Sequence, residues 1–115
     1  GGIGIHVHND GTLAKYAYRL GMGDNFEKVD KHPDTQTVFE GYKLDFIPEI
    51  IQVAKRLHEY TANLRIVSWD FTVDENGDII VIEANYRGQG IWFPQMISGE
   101  SLFGKDTPSI LKYMR

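Results

Sequence analysis

Asp70, Glu83, Asn85 and Arg87 are the residues whose types and spacing could do chemistry. Two carboxylates and an amide offer hard oxygen donors of the kind Mg²⁺ takes, commonly beside phosphate oxygens. The arginine two residues past the amide adds a planar fork suited to two phosphate oxygens at once. Asp70, Glu83 and Asn85 are therefore candidate metal and cofactor ligands, and Arg87 is the candidate catalytic group. Paired acids also serve glycosidases, but Asn85 and Arg87 suit phosphate better than a sugar leaving group. No Ser-His-Asp or Cys-His arrangement suggestive of a hydrolase is visible.

These residues lie in Ile66–Arg87, IVSWDFTVDENGDIIVIEANYR. Two strand-forming runs, Ile66–Val73 and Asp78–Asn85, flank Asp74-Glu75-Asn76-Gly77, and an Asn-Gly pair between such runs signals a tight hairpin. Alternation puts Val67, Trp69, Phe71 and Val73, with Ile80, Ile82 and Ala84, on an apolar face that packs on a core. Ser68, Asp70, Thr72, Ile79, Val81, Glu83 and Asn85 take the other face. With Asn76-Gly77 as a two-residue loop, Asp70 stands opposite Glu83 and Ser68 opposite Asn85. A four-residue loop makes Asp70 and Glu83 diagonal neighbours. A three-residue loop would separate them, and Asn-Gly favours two. Like charges across a ladder repel, and a bound cation relieves this. Solvated strand faces also carry acids, but Ile79 and Val81 beside these acids suit a half-apolar ligand wall.

The scaffold reads in order from the N-terminus. Ile3, Ile5 and Val7 alternate with Gly4, His6 and His8, then Asn9-Asp10-Gly11 turns the chain and Leu13–Arg19 returns as a second strand. His6 and His8 share one side as a zinc pair could, but with no third ligand nearby they read better as paired surface histidines. Lys15 could meet a phosphate, though a solvated lysine is commoner. Residues 20–44 lack a steady period and suggest a lid or substrate-side loop with a short extended piece at Val38-Phe39. His32 there could be catalytic, but stabilising the turn made with Pro33 is the better reading.

Asp45 is the expected N-cap of the main helix, Pro48 implying a start a residue or two later. Ile47, Ile50, Ile51, Ala54, Leu57 and Thr61 form its apolar stripe, and Asn63 is its expected stop. It should cover the hairpin's apolar face, with Trp69 and Phe71 as contacts. Ile91-Trp92-Phe93 should pack back or cover the site. Residues 106–115 suggest a closing helix with Ile110, Leu111 and Met114 inward. The fold class is thus α+β: an antiparallel sheet of two hairpins packed against one long helix and a short C-terminal helix.

At 115 residues the chain is about one domain, long enough to bury a core. A net charge of −4 with interspersed signs argues against nucleic acid as a partner. No cysteine means no disulfide framework or thiolate metal site, which fits a reducing compartment. No apolar run approaches a membrane span, and no signal peptide is visible. The start at Gly1-Gly2-Ile3, without methionine, suggests a piece of something longer.

The run WDFTVDENGDIIVIEAN, an Asp on one strand, a turn with Gly, and Glu-x-Asn on the next, resembles the second half of an ATP-grasp enzyme. The order of GGIGI, a Gly turn, a strand, a long loop with His-Pro-Asp, a helix and then Trp-Asp looks most like the sugar-transfer-associated group. The resemblance spans nearly the whole chain. It implies a partial ATP-grasp fold, with residues 1–115 as a single domain forming the C-terminal part of the ATP-binding unit and the upstream half missing. It implies ATP and Mg²⁺, the metal held by Asp70, Glu83 and Asn85, and Arg87 on the reacting phosphate. Two departures stand out: Ser68 occupies a position where many such ligases carry arginine, and the lysines and hinge that hold the adenine and inner phosphates are absent.

The implied activity is an ATP-dependent carboxylate–amine or carboxylate–thiol ligation through an acyl phosphate, linked to sugar-polymer assembly, in the cytoplasm. Its partners would be ATP, a small carboxylate and an amine or thiol acceptor. The 115-residue piece alone would not turn over ATP. The alternative is a non-catalytic nucleotide- and metal-binding module. An exposed hairpin edge could pair with a second copy.

Overall fold

The computed structural model describes residues 2–20 and 25–113. Met114 of the expected closing helix, and Gly21 and Gly23 of the expected loop, lie outside them. The described chain is α+β, with five strands in two antiparallel sheets and three helices. The two expected hairpins lie in separate sheets rather than one. The chain divides into two compact units: residues 1–8, 12–43 and 90–115 in one, residues 9–11 and 44–89 in the other.

In the first unit, β1 (Ile3–Val7), β2 (Leu13–Leu20) and β3 (Phe26–Val29) form a three-stranded sheet in that order. β3 falls inside the expected loop. It is held by backbone pairing, from Ala17 opposite Val29 to Leu20 opposite Phe26. The segment after it is also ordered, because Lys31 bridges to Val38 and Thr12 to Lys43. Among the described residues Ala17 and Phe39 are the buried apolar side chains, Phe39 with its amide bonded to the Asp30 carbonyl at 3.1 Å. Helix α2 (Trp92–Ser98) carries the expected apolar cluster and packs back on β1, where the Phe93 ring crowds Gly4. Trp92 lies 6.4 Å from the Phe26 ring centre. A 3-10 turn, Gly104–Asp106, leads into helix α3 (Thr107–Tyr113). Pro108 sits in its first turn, Ile110 is half-buried, and Leu111 is exposed rather than inward.

The second unit contains helix α1 (Ile47–Glu59) and the hairpin of β4 (Ser68–Val73) and β5 (Ile79–Asn85). In α1 Ile47, Ile50, Ile51, Ala54 and Leu57 are half-buried, as is Thr61 just past its end, while Glu49, Gln52, Lys55, Arg56 and Glu59 are exposed, as a 3.6-residue period requires. Asp45 does not cap it. Phe46 holds the N-cap position without a side-chain bond, and Pro48 occupies the first turn, where its missing N–H is no loss. The helix ends at Glu59, short of Asn63, and the Thr61 hydroxyl closes it by donating to the His58 carbonyl at 3.1 Å.

Candidate functional site

The hairpin turn sets the geometry. The Gly77 amide donates to the Asp74 carbonyl (3.1 Å) and the Asp74 amide to the Asp78 carbonyl (3.0 Å), so Glu75-Asn76-Gly77 form a three-residue loop, with Gly77 at φ +88° as this turn requires. The Asp74 carboxylate accepts from the amides of Asn76 (2.8 Å) and Asp78 (2.9 Å). These bonds hold its pKa below the ordinary carboxylate value, the Asp78 amide foremost. Desolvation works against them, and Asn76 and Gly77 add to the lowering.

A three-residue turn, continued regularly, would place Glu83 opposite Trp69, on the face away from Asp70. The strands avoid this with a second irregularity. From the turn the pairs run Val73–Ile79, Thr72–Ile80 and Phe71–Val81; the register then shifts, and the pairs resume as Asp70–Glu83, Trp69–Ala84 and Ser68–Asn85. Ile82 is the extra residue, a bulge. Turn and bulge each displace the register by one, in opposite senses, and so cancel at the carboxylates.

The expected two-residue turn and the expected face of Ile80 and Ile82 are both corrected. Ile79 and Val81 share the face of Phe71 and Val73, Ile80 shares that of Thr72, and Ile82 is 63% exposed. On β4 the expected alternation holds, with Trp69, Phe71 and Val73 half-buried and Ser68, Asp70 and Thr72 exposed.

At this register one nitrogen joins the three polar side chains. Asn85 Nδ2 donates to Glu83 Oε1 at 2.7 Å and to Asp70 Oδ2 at 3.3 Å. Two like charges thus share one donor, which offsets part of their repulsion. A half-turn of the Asn85 amide exchanges Nδ2 for Oδ1 and gives three oxygens facing one region, a donor set that fits a hard divalent cation. Among the described residues no group of three or more His, Cys, Asp or Glu could hold a metal; the third member here is an amide.

Arg87 is not drawn into this cluster. β5 ends at Asn85, and Arg87 follows on an exposed bend with its guanidinium 5.9 Å from the Tyr86 ring centre. Because β5 does not continue as far as Arg87, spacing along a strand does not aim this side chain at the acids. Sequence reasoning passed over Gln89, whose Nε2 donates to the Ile66 carbonyl at 3.3 Å and ties the segment after β5 to the approach to β4. A lone amide between two glycines was its only signal.

The other candidates have local roles. The His6 and His8 rings meet edge to face, with centres 4.8 Å apart. His32 Nδ1 accepts from the amides of Asp34 (3.3 Å) and Thr35 (3.2 Å), bracing the turn at Pro33. Lys15 pairs with Glu40 at 3.4 Å on the surface.

The model of the sugar-transfer associated ATP-grasp family matches residues 1–110. The chain belongs to that family. An ATP-grasp chain is a nucleotide-binding, ligase-like module, and the α+β arrangement of two antiparallel sheets and three helices is consistent with part of such a domain. No curated protein and no solved structure gives a significant match. Among the described residues, no helix of this ATP-grasp chain is long and apolar enough to cross a membrane.

Proposed function

We propose that this chain supplies the metal and phosphate end of an ATP-dependent ligase site that joins a carboxylate to an amine or thiol through an acyl phosphate, with sugar-polymer precursors as the substrate setting. The nucleotide-holding lysines would come from outside these 115 residues, and the chain alone would not release ADP from ATP. One observation supports this most: Asp70 and Glu83 face each other across the hairpin and share the Asn85 amide. Like charges so placed are unfavourable alone and become favourable around a cation. Asp70, Glu83 and Asn85 would hold Mg²⁺, which when bound neutralises phosphate oxygens. Catalysis in such a site rests on orientation and charge more than on a protein nucleophile.

Arg87 would steady the transferred phosphoryl group after its bend swings the guanidinium away from Tyr86. Its present place, and Ser68 where related ligases often carry arginine, favour a second reading, a module that binds nucleotide and metal without turnover. A cytoplasmic setting, where ATP and Mg²⁺ are plentiful, suits either. Glu83→Gln in the protein that contains this chain decides the matter. Loss of Mg²⁺-dependent ADP formation with the fold intact supports the ligase reading; unchanged turnover removes Glu83 from the site. A wild-type protein that binds ATP and Mg²⁺ yet forms no ADP with any carboxylate supports the binding module.

A further inference from the structure

The cancelling turn and bulge leave the hairpin a second way to satisfy the same site. In the alternative, Asn76-Gly77 forms a two-residue turn, Ile82 enters the ladder opposite Phe71, Val81 moves opposite Thr72, and no bulge remains. The pairs Asp70–Glu83 and Ser68–Asn85 are identical in both. Only the tip between Phe71 and Ile82 differs.

The sequence resists neither form. Asn-Gly serves the three-residue turn, where Gly77 takes the positive φ, and also the two-residue type I′ turn, where both residues do and Asn tolerates it well. Register is strongly specified only where one face is apolar and the other polar. Here Ile79, Ile80, Val81 and Ile82 put an aliphatic side chain on both faces, and Ile80, Val81 and Ile82 are all exposed. A slip by one therefore exchanges equivalents.

One group distinguishes the forms. The bonds from the amides of Asn76 and Asp78 to the Asp74 carboxylate belong to the three-residue turn, because in the slipped form Asp74 stands opposite Ile79 instead.

We propose that the hairpin tip is a one-residue register switch, latched by Asp74, that changes whether Ile80 or Val81 stands beside the carboxylates while leaving the carboxylates paired. The slip converts the aliphatic wall next to Asp70 and Glu83 without disassembling them. It runs on the microsecond-to-millisecond scale of local opening. Because it depends only on strand geometry, it stands whether or not the site binds a metal.

The chain has no cysteine, so disulfide trapping reads the register directly. Thr72→Cys with Ile80→Cys traps the observed form, and Thr72→Cys with Val81→Cys traps the slipped one. Thr72→Cys with Ile79→Cys is the matched control, since it needs a slip in the opposite direction. The Val81 pair should oxidise at about a tenth to a thousandth of the Ile80 rate, as befits a minor state, and well above the Ile79 control. Asp74→Ala should raise the Val81 rate several-fold and leave the control unmoved. Removing Ile82 should return the Val81 pair to the control level, because the slipped form would then separate Asp70 from Glu83.

A Val81 pair no faster than the control, with and without Asp74→Ala, overturns the proposal. Relaxation dispersion on the unmodified chain gives a second reading that needs no substitution. Exchange confined to residues 71–82 supports the switch. Exchange that extends to Asp70 and Glu83 refutes it.

Discussion

Glu83→Gln should have two effects of opposite sign in the isolated chain. The contacts of 2.7 and 3.3 Å share one nitrogen, so the two carboxylate oxygens lie at most about 6.0 Å apart. Two unit charges at that distance repel by about 0.7 kcal/mol in a water-like dielectric. Both acids are exposed, so the water-like figure applies and salt reduces it further. Glutamine keeps an oxygen to accept from Asn85 but removes the charge. Without Mg²⁺, then, the β4–β5 amides should become about threefold better protected from hydrogen exchange at low ionic strength. The gain should fade at high salt.

With Mg²⁺ the order should reverse. Wild-type protection should rise by up to about a hundredfold when the ion is a hundredfold above its dissociation constant, whereas Glu83→Gln should respond weakly. Exchange measured by mass spectrometry at two salt concentrations, with and without Mg²⁺, covers all the conditions. Lower protection in metal-free Glu83→Gln would mean that the carboxylate is a structural acceptor and that the repulsion argument is wrong. An undiminished Mg²⁺ response would mean that Glu83 is not a ligand.

Gly11→Ala should destabilise the chain by about 2 kcal/mol in chemical denaturation, since Gly11 has φ +90° and an added Cβ would overlap the Leu44 carbonyl. Phe39→Ala empties a buried apolar position and should cost about 3 kcal/mol, read as faster proteolytic cleavage within residues 30–43. The lowered pKa of Asp74 means that its contribution to turn stability is complete above the ordinary value of 3.8 and is lost as pH falls through the depressed one. Circular dichroism melts of wild type should therefore show an acid-side loss below pH 3.8 that is smaller in Asp74→Asn.

The helix stripe from Ile47 to Leu57 and the hairpin of Trp69 and Phe71 were legible because long runs with a clear period leave few alternatives. The facing of Asp70 and Glu83 was legible too, but for an incomplete reason. A two-residue turn was expected, and a three-residue turn occurs with a bulge that undoes its effect. Nothing in a run of four β-branched residues, Ile79 to Ile82, announces which of them will bulge. β3 escaped notice because its four residues are joined to β2 by main-chain bonds that need no particular side chains. Asp45 was a reasonable cap by residue type, but the helix starts two residues later, at Ile47, and Phe46 takes the cap position. Arg87 illustrates the limit of spacing arguments, since two residues past a strand end can just as well be a bend.

The Ile82 bulge also bears on how much change in length the hairpin can absorb. A hairpin that can absorb one residue in its turn or one in its strand tolerates a single insertion or deletion between the aspartate and the glutamate without parting them. Their facing across the hairpin therefore does not fix their separation along the chain. One residue added to the strand opposite Phe71 and one removed from the turn compensate each other, and only the side of the strand taken by the intervening aliphatic residues changes.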